Sequence, residues 1–186
     1  MWLDVDTIIL NPGAVKYFSH EKDVMMFGDG KAHCHIGLIS CKRAGTPCMI
    51  NWVAHNKHKI WNLQPNEPVT LGRIGGDFLE PYAYTHPNEV EILNWRIAHP
   101  EGQVELWSKG VGGKTAYEDY FFIESHEIAE IKKDLIILNN TWTPDFYKKL
   151  SVEELMRIDC TMTNVLFDAL EIKIPPSLNR TRISRN

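Results

Sequence analysis

Two carboxylates on alternate residues, Asp4 and Asp6, interrupt an otherwise apolar run, Trp2-Leu3-Asp4-Val5-Asp6-Thr7-Ile8-Ile9-Leu10. The run has β propensity and no helical period, and Asn11-Pro12-Gly13 ends it with turn chemistry. Side chains two residues apart in a strand share a face, so the spacing predicts that Asp4 and Asp6 emerge together. Adjacent like charges are unfavourable unless a cation or a cluster of donors neutralises them. Hard divalent cations such as Mn²⁺ or Mg²⁺ suit carboxylate oxygens and complete their shells with water and phosphate oxygens. The same pair also fits two solvated aspartates before a turn, because D-x-D is a short pattern.

Other residues capable of chemistry are less well patterned. Lys109-Gly110-Val111-Gly112-Gly113-Lys114-Thr115 imitates a phosphate loop. The first glycine of that motif is replaced by Ser108 and no apolar helix follows, so the stretch reads as a glycine-rich hairpin or surface loop. His33, Cys34 and His35 with Cys41 and Cys48 match no usual zinc spacing and read as core thiols beside a polar strand edge. His55 and His58, among Lys57 and Lys59, read as a solvated helix face. Trp52, Trp61, Trp95, Trp107 and Trp142 are core by default, and one or two could stack on a sugar ring.

The elements that must position these residues alternate. A short helix or loop is expected over 14–20, a loop at Phe27-Gly28-Asp29-Gly30, and a strand over 34–40. Thr46-Pro47 starts a helix running to about Trp61, with Met49, Ile50, Val53 and Ala54 on one face. A glycine-rich turn from Gly72 leads into a short helix around Asp77-Phe78-Leu79, limited by Pro81. Strands are expected over 90–93, 104–107 and 135–138, and Tyr120-Phe121-Phe122-Ile123 reads as a strand or a buried segment. Ser151 and Glu154 form a capping box for one last helix carrying Leu155, Ile158, Met162, Val165, Leu166 and Leu170. The fold class is therefore α/β, a mixed sheet with flanking helices in one domain over 1–174, followed by a basic flexible tail over 175–186.

Composition narrows the function classes. The 186 residues carry a net charge of -4, which gives no reason to expect nucleic acid or a membrane as the main partner. No apolar run is long enough for a transmembrane segment, and no signal-peptide pattern opens the chain. The four cysteines form no C-x-x-C pair, which suits buried thiols in a reducing compartment; a cytoplasmic location is expected. The acceptor patterns Asn139-Asn140-Thr141 and Asn179-Arg180-Thr181 do not change this.

The order of motifs resembles glycosyltransferases of the GT-A fold, in particular the DXD-containing sugar-binding-region group of capsular polysaccharide, α-mannosyl and α-galactosyl transferases. The motifs are Trp2-Leu3-Asp4-Val5-Asp6-Thr7 and Leu71-Gly72-Arg73-Ile74-Gly75-Gly76-Asp77-Phe78-Leu79, then Asn139-Asn140-Thr141-Trp142-Thr143-Pro144 with Ser151-Val152-Glu153-Glu154-Leu155. The resemblance implies a nucleotide-sugar donor, a saccharide acceptor and a metal held by Asp6 most directly, with Asp4 towards the ribose or metal waters. It implies that the loop carrying Gly75 and Gly76 faces donor or acceptor sugar, that Asp77 contacts sugar hydroxyls, and that Trp142 belongs to the substrate site. An N-cap role for Asp77 is the alternative. Where relatives complete the metal site with histidine, the matching position here is Asn139, a neutral oxygen donor. The family places a nucleotide-binding βαβ region before the D-x-D strand, and this chain begins at that strand. The resemblance therefore covers the C-terminal part of such an enzyme and implies an exposed sheet edge suited to self-association. A catalytically inactive module that binds glycan or protein is the alternative reading.

Overall fold

The computed structural model describes residues 2–3, 7–28, 34–69, 75–98 and 113–184. In chain order its elements are β1 (Trp2–Leu3), β2 (Thr7–Ile9), β3 (Val24–Gly28), β4 (Cys34–Cys41), α1 (Pro47–Trp61), α2 (Asp77–Thr85), β5 (Val90–Asn94), α3 (Gly113–Glu118), α4 (Ile128–Ile131), β6 (Leu135–Ile137), α5 (Val152–Met156) and α6 (Thr161–Ala169). The chain divides into two compact units, one of residues 1–7 and 13–97 and the other of residues 8–12 and 98–186.

The first unit is built on a sheet of order β1-β4-β3-β5. β4 runs antiparallel to both β1 and β3, and β5 runs parallel to β3, so the sheet is mixed, as expected. Its central strand, β3, covers Phe27 and Gly28, which the sequence suggests as a loop. Val24, Met25, Met26 and Phe27 are all buried. A strand covered on both faces reads as a continuous apolar run without alternation, which hides it from a period-two search. Register slips between Met26, opposite Ile39, and Phe27, opposite His35, so β4 carries extra residues at that point.

α1 begins at Pro47 and ends at Trp61, the span the sequence predicts. Its apolar face is the expected one only in part: Met49 packs against the core beside buried Cys48, while Ile50, Val53 and Ala54 face solvent. α2 runs to Thr85 straight through Pro81, well beyond the short helix expected. The burial of Leu79, Tyr82 and Ala83 against Val24, Met26, Ile39, Cys48 and Val90 offsets the backbone bond that proline cannot donate.

In the second unit β2 pairs with β6. Leu10 N–H donates to the Asp134 carbonyl (2.8 Å), so the last residues of β2 meet the first of β6. Asp119–Ile123 is a single π-helical turn rather than a strand, and it buries Phe121 and Phe122. These pack with Tyr117, Ile136, Leu138, Tyr147 and Val165 into the unit's core. The single last helix expected from apolar spacing is two helices, α5 and α6, separated at 157–160. The break is occupied by backbone pairing: Thr181 N–H donates to the Arg157 carbonyl (2.8 Å) and Asp159 N–H to the Thr181 carbonyl (3.0 Å). The basic segment expected to be a free tail is thus tied down at Thr181.

Candidate functional site

Asp4 and Asp6 lie outside the described residues, as do Leu71 to Ile74, His33, Trp107 and residues 109–112 of the glycine-rich stretch. The strand that follows Asp6 in the chain is β2, and the strand that leads to Asn139 is β6.

Asn139 is the N-cap of a 3₁₀ turn, Asn140–Trp142, and its side-chain oxygen accepts from Thr141 N–H (3.1 Å). Its own N–H donates to the Tyr117 hydroxyl (3.0 Å), and its carbonyl accepts from Trp142 N–H (3.0 Å). An amide oxygen has a second lone pair, so capping the turn leaves Asn139 Oδ1 one further acceptor position. Trp142, on the same turn, is half-buried with its ring edge-on to Tyr117 at 5.8 Å. The Asn-Asn-Thr-Trp-Thr sequence therefore has a structural role of its own, anchoring the end of β6 to the core.

Gly75 and Gly76 adopt a π-type turn that runs directly into α2. Gly76 is the N-cap with helical backbone (φ -54, ψ -44), so Asp77 is the first helical residue rather than the cap. A Cβ on Gly76 would meet only the Glu80 side chain, at 3.7 Å, so the fold itself does not require glycine there. The Asp77 carboxylate is about half exposed and accepts from Lys59 Nζ at 2.5 Å, which ties the start of α2 to the last turn of α1. The structure thus brings together Gly75, Gly76 and Asp77 in the first unit, and Asn139 and Trp142 in the second.

A concavity of about 400 Å³ in the first unit, beside β3 and β5, carries no sequence motif. Lys16, Tyr17, His20, Glu21, Lys22 and Glu91 line it. The His20 ring is fixed at both nitrogens, with Nδ1 2.8 Å from the Lys22 carbonyl and Nε2 3.2 Å from the Ser40 hydroxyl. A carbonyl only accepts, so Nδ1 carries a proton, and in the neutral ring Nε2 accepts from Ser40. Lys22 Nζ is anchored on the Pro87 carbonyl at 2.6 Å. Donors and acceptors of both signs around one aromatic ring suit a polyhydroxylated ligand, which needs both at once. These residues come from a 3₁₀ turn (Pro12–Tyr17), the bend after it and an edge strand, so no local spacing announces them.

The cysteines are free thiols. Burial, reinforced by Cys41, Glu89 and Cys34 nearby, pushes the Cys48 thiol up to about 12, so it stays protonated. Among the described residues no group of three or more His, Cys, Asp or Glu side chains is arranged to hold a metal ion. Among them, too, no helix is long and apolar enough to cross a membrane. No protein-family model, curated protein or solved structure matches the chain.

Proposed function

We propose that this chain carries out metal-dependent glycosyl transfer from a nucleotide-sugar donor to a saccharide acceptor. The observation that carries the reading is the order of motifs along the chain, from Asp4-Val5-Asp6 through Gly75-Gly76-Asp77 to Asn139-Asn140-Thr141-Trp142. The motif order supports a donor site in which Asp4 and Asp6 hold Mn²⁺ or Mg²⁺, and Asn139 stands at the position where the resemblance implies a further ligand. The cation, when bound, supplies neutralisation of the diphosphate charge as the sugar leaves. Asp77 contacts sugar hydroxyls, oriented by its ion pair with Lys59, and Gly75 and Gly76 let the chain approach the sugar closely. Trp142 contributes an aromatic edge to the substrate. The mixed-charge concavity around His20 is the candidate pocket for acceptor hydroxyls.

Calorimetric titration of Mn²⁺ with and without a nucleoside diphosphate tests the donor site. Metal-dependent nucleotide binding is expected, with at least a tenfold loss, on the order of 1.4 kcal/mol, in the combined Asp4→Ala and Asp6→Ala variant. Binding that is unchanged in that variant would remove the metal site.

A second reading, a non-catalytic module binding glycan or protein, is favoured by the structural duties of Asn139 and Asp77, whose oxygens already accept from Thr141 and Lys59. It predicts retention on a glycan array with no release of nucleoside diphosphate from any of a panel of nucleotide sugars.

A further inference from the structure

α1 is inside out. At about 100° per residue, Ile50, Val53, Ala54, Lys57, Ile60 and Trp61 fall within an arc of about 120°. That arc faces away from the protein: Ile50 is 57% exposed, Val53 54%, Ile60 54% and Trp61 83%. The opposite side, turned to the protein, carries Cys48 and Trp52 together with His55, Asn56 and Lys59. Cys48, Met49 and Trp52 pack there against the apolar core, while Lys59 pairs with Asp77 and the His55 ring lies 5.2 Å from Phe78. A helix whose outer side faced only water would carry its polar residues outward. Among the described residues nothing buries this side of α1, which leaves it open to a partner.

Charge identifies that partner. From Gly30 to Asn66 the sequence contains Lys31, Lys42, Arg43, Lys57 and Lys59 and no acidic residue; of the acidic residues elsewhere, Asp77 pairs with Lys59, and Glu67 lines a concavity together with Ile60. Lys57 sits in the middle of the apolar arc. Lysine is depleted from the centre of protein–protein interfaces, where its ammonium would be stranded. At a lipid headgroup layer it reaches the phosphates while its methylene stem stays among apolar neighbours. Trp61, at the end of the helix, has the amphipathic ring that favours that boundary.

We propose that the outward side of α1 is a docking surface for an anionic lipid bilayer, on which the helix lies in the plane of the interface. This goes beyond the transferase reading and does not depend on it. Ile50, Val53, Ile60 and Trp61 enter the acyl boundary, and Lys57 engages headgroup phosphate.

Co-sedimentation of the full chain with vesicles of phosphatidylglycerol and phosphatidylcholine, against vesicles of phosphatidylcholine alone, tests this. Binding to the anionic vesicles is expected, weakened roughly tenfold or more by Val53→Asp with Ile60→Asp, and weakened also by Lys57→Glu or by high salt. Both aspartate positions are exposed, and circular dichroism checks that the variants stay folded. Sedimentation with neutral vesicles equal to that with anionic ones, or none with either, overturns the proposal. So does a wild-type dimer in light scattering that the aspartates dissociate while vesicle binding is absent, because the counterpart is then a second copy. The combined Asp4→Ala and Asp6→Ala variant should bind vesicles as the wild type does, which separates this test from that of the donor site.

Discussion

Asp159 is where the polar interactions of the second unit converge. Its carboxylate accepts from the Ser125 hydroxyl (2.6 Å) and from Arg182 Nε (3.2 Å), with Arg180 Nη1 at 3.6 Å. Arg180 also donates through Nη2 to the Ile158 carbonyl (2.6 Å) and to Asn164 Oδ1 (2.9 Å). Burial raises the carboxyl, but the Ser125 hydrogen bond and the two arginines more than offset this and hold it below its ordinary 3.8. A carboxyl depressed in the folded state contributes stability that is complete above the unfolded value and is lost as pH falls through the folded one. Asp159→Asn is therefore expected to lower stability at pH 7 by about 1.5 kcal/mol, a figure kept small because the site is partly exposed. The difference between variant and wild type should shrink as pH falls below about 4, where the carboxyl of the unfolded chain protonates ahead of the folded one. Thermal unfolding at pH 7 and pH 3 measures this, and an equal deficit at both values would show that shape rather than charge matters at Asp159. Nothing in the local sequence announces the cluster, because its members lie at 125, 159, 164, 180 and 182 and meet only through folding.

Among the elements, α1 shows what spacing can and cannot reveal. Its start depends on Gly45, whose φ of 72° turns the chain into Thr46-Pro47. A Cβ there would meet nothing within 4 Å, so the cost of a side chain is conformational alone. Gly45→Ala should destabilise by about 1 kcal/mol, and Gly45→Asn by less, because asparagine tolerates the left-handed region. Chemical denaturation of both variants checks the order; equal loss, or none, would mean that the turn relaxes. Both ends of α1 were legible because a proline at the first helical position is a local signal. Its orientation was not legible: periodicity locates an apolar stripe, and only the neighbouring elements decide whether that stripe faces the core. α5 and α6 make the same point from the other side. The apolar spacing from Leu155 to Leu170 is continuous, but Ile158 pairs with Thr181, and that distant partner interrupts the helix. The capping box at Ser151 and Glu154 forms as the sequence predicts, because both partners lie within four residues.

At the scale of the molecule, two cores are built from separate residues, one around Val24, Met26 and Leu79 and the other around Tyr117, Phe121 and Val165. Leu79→Ala, at a fully buried site, should cost about 3 kcal/mol. Amide hydrogen exchange should quicken in β3, β4 and α2 while β6 and α6 keep their protection; uniform acceleration would mean that the units unfold as one. The sequence by itself determined what depends on neighbours along the chain: the strands of β4, β5 and β6, the span of α1, the capping box, and the mixed α/β class. It also supplied the motif order behind the transferase proposal, with Asp4 and Asp6 at its head. Only the tertiary structure decided what depends on residues far apart in sequence. It paired β2 with β6, covered β3 on both faces and divided the chain into two units. It also gave Asn139 a turn to cap and Asp77 a lysine to hold it, and it left the apolar side of α1 facing outward. The reason is physical: capping and helical spacing act within a few residues, whereas burial and strand pairing are settled by which distant surfaces meet.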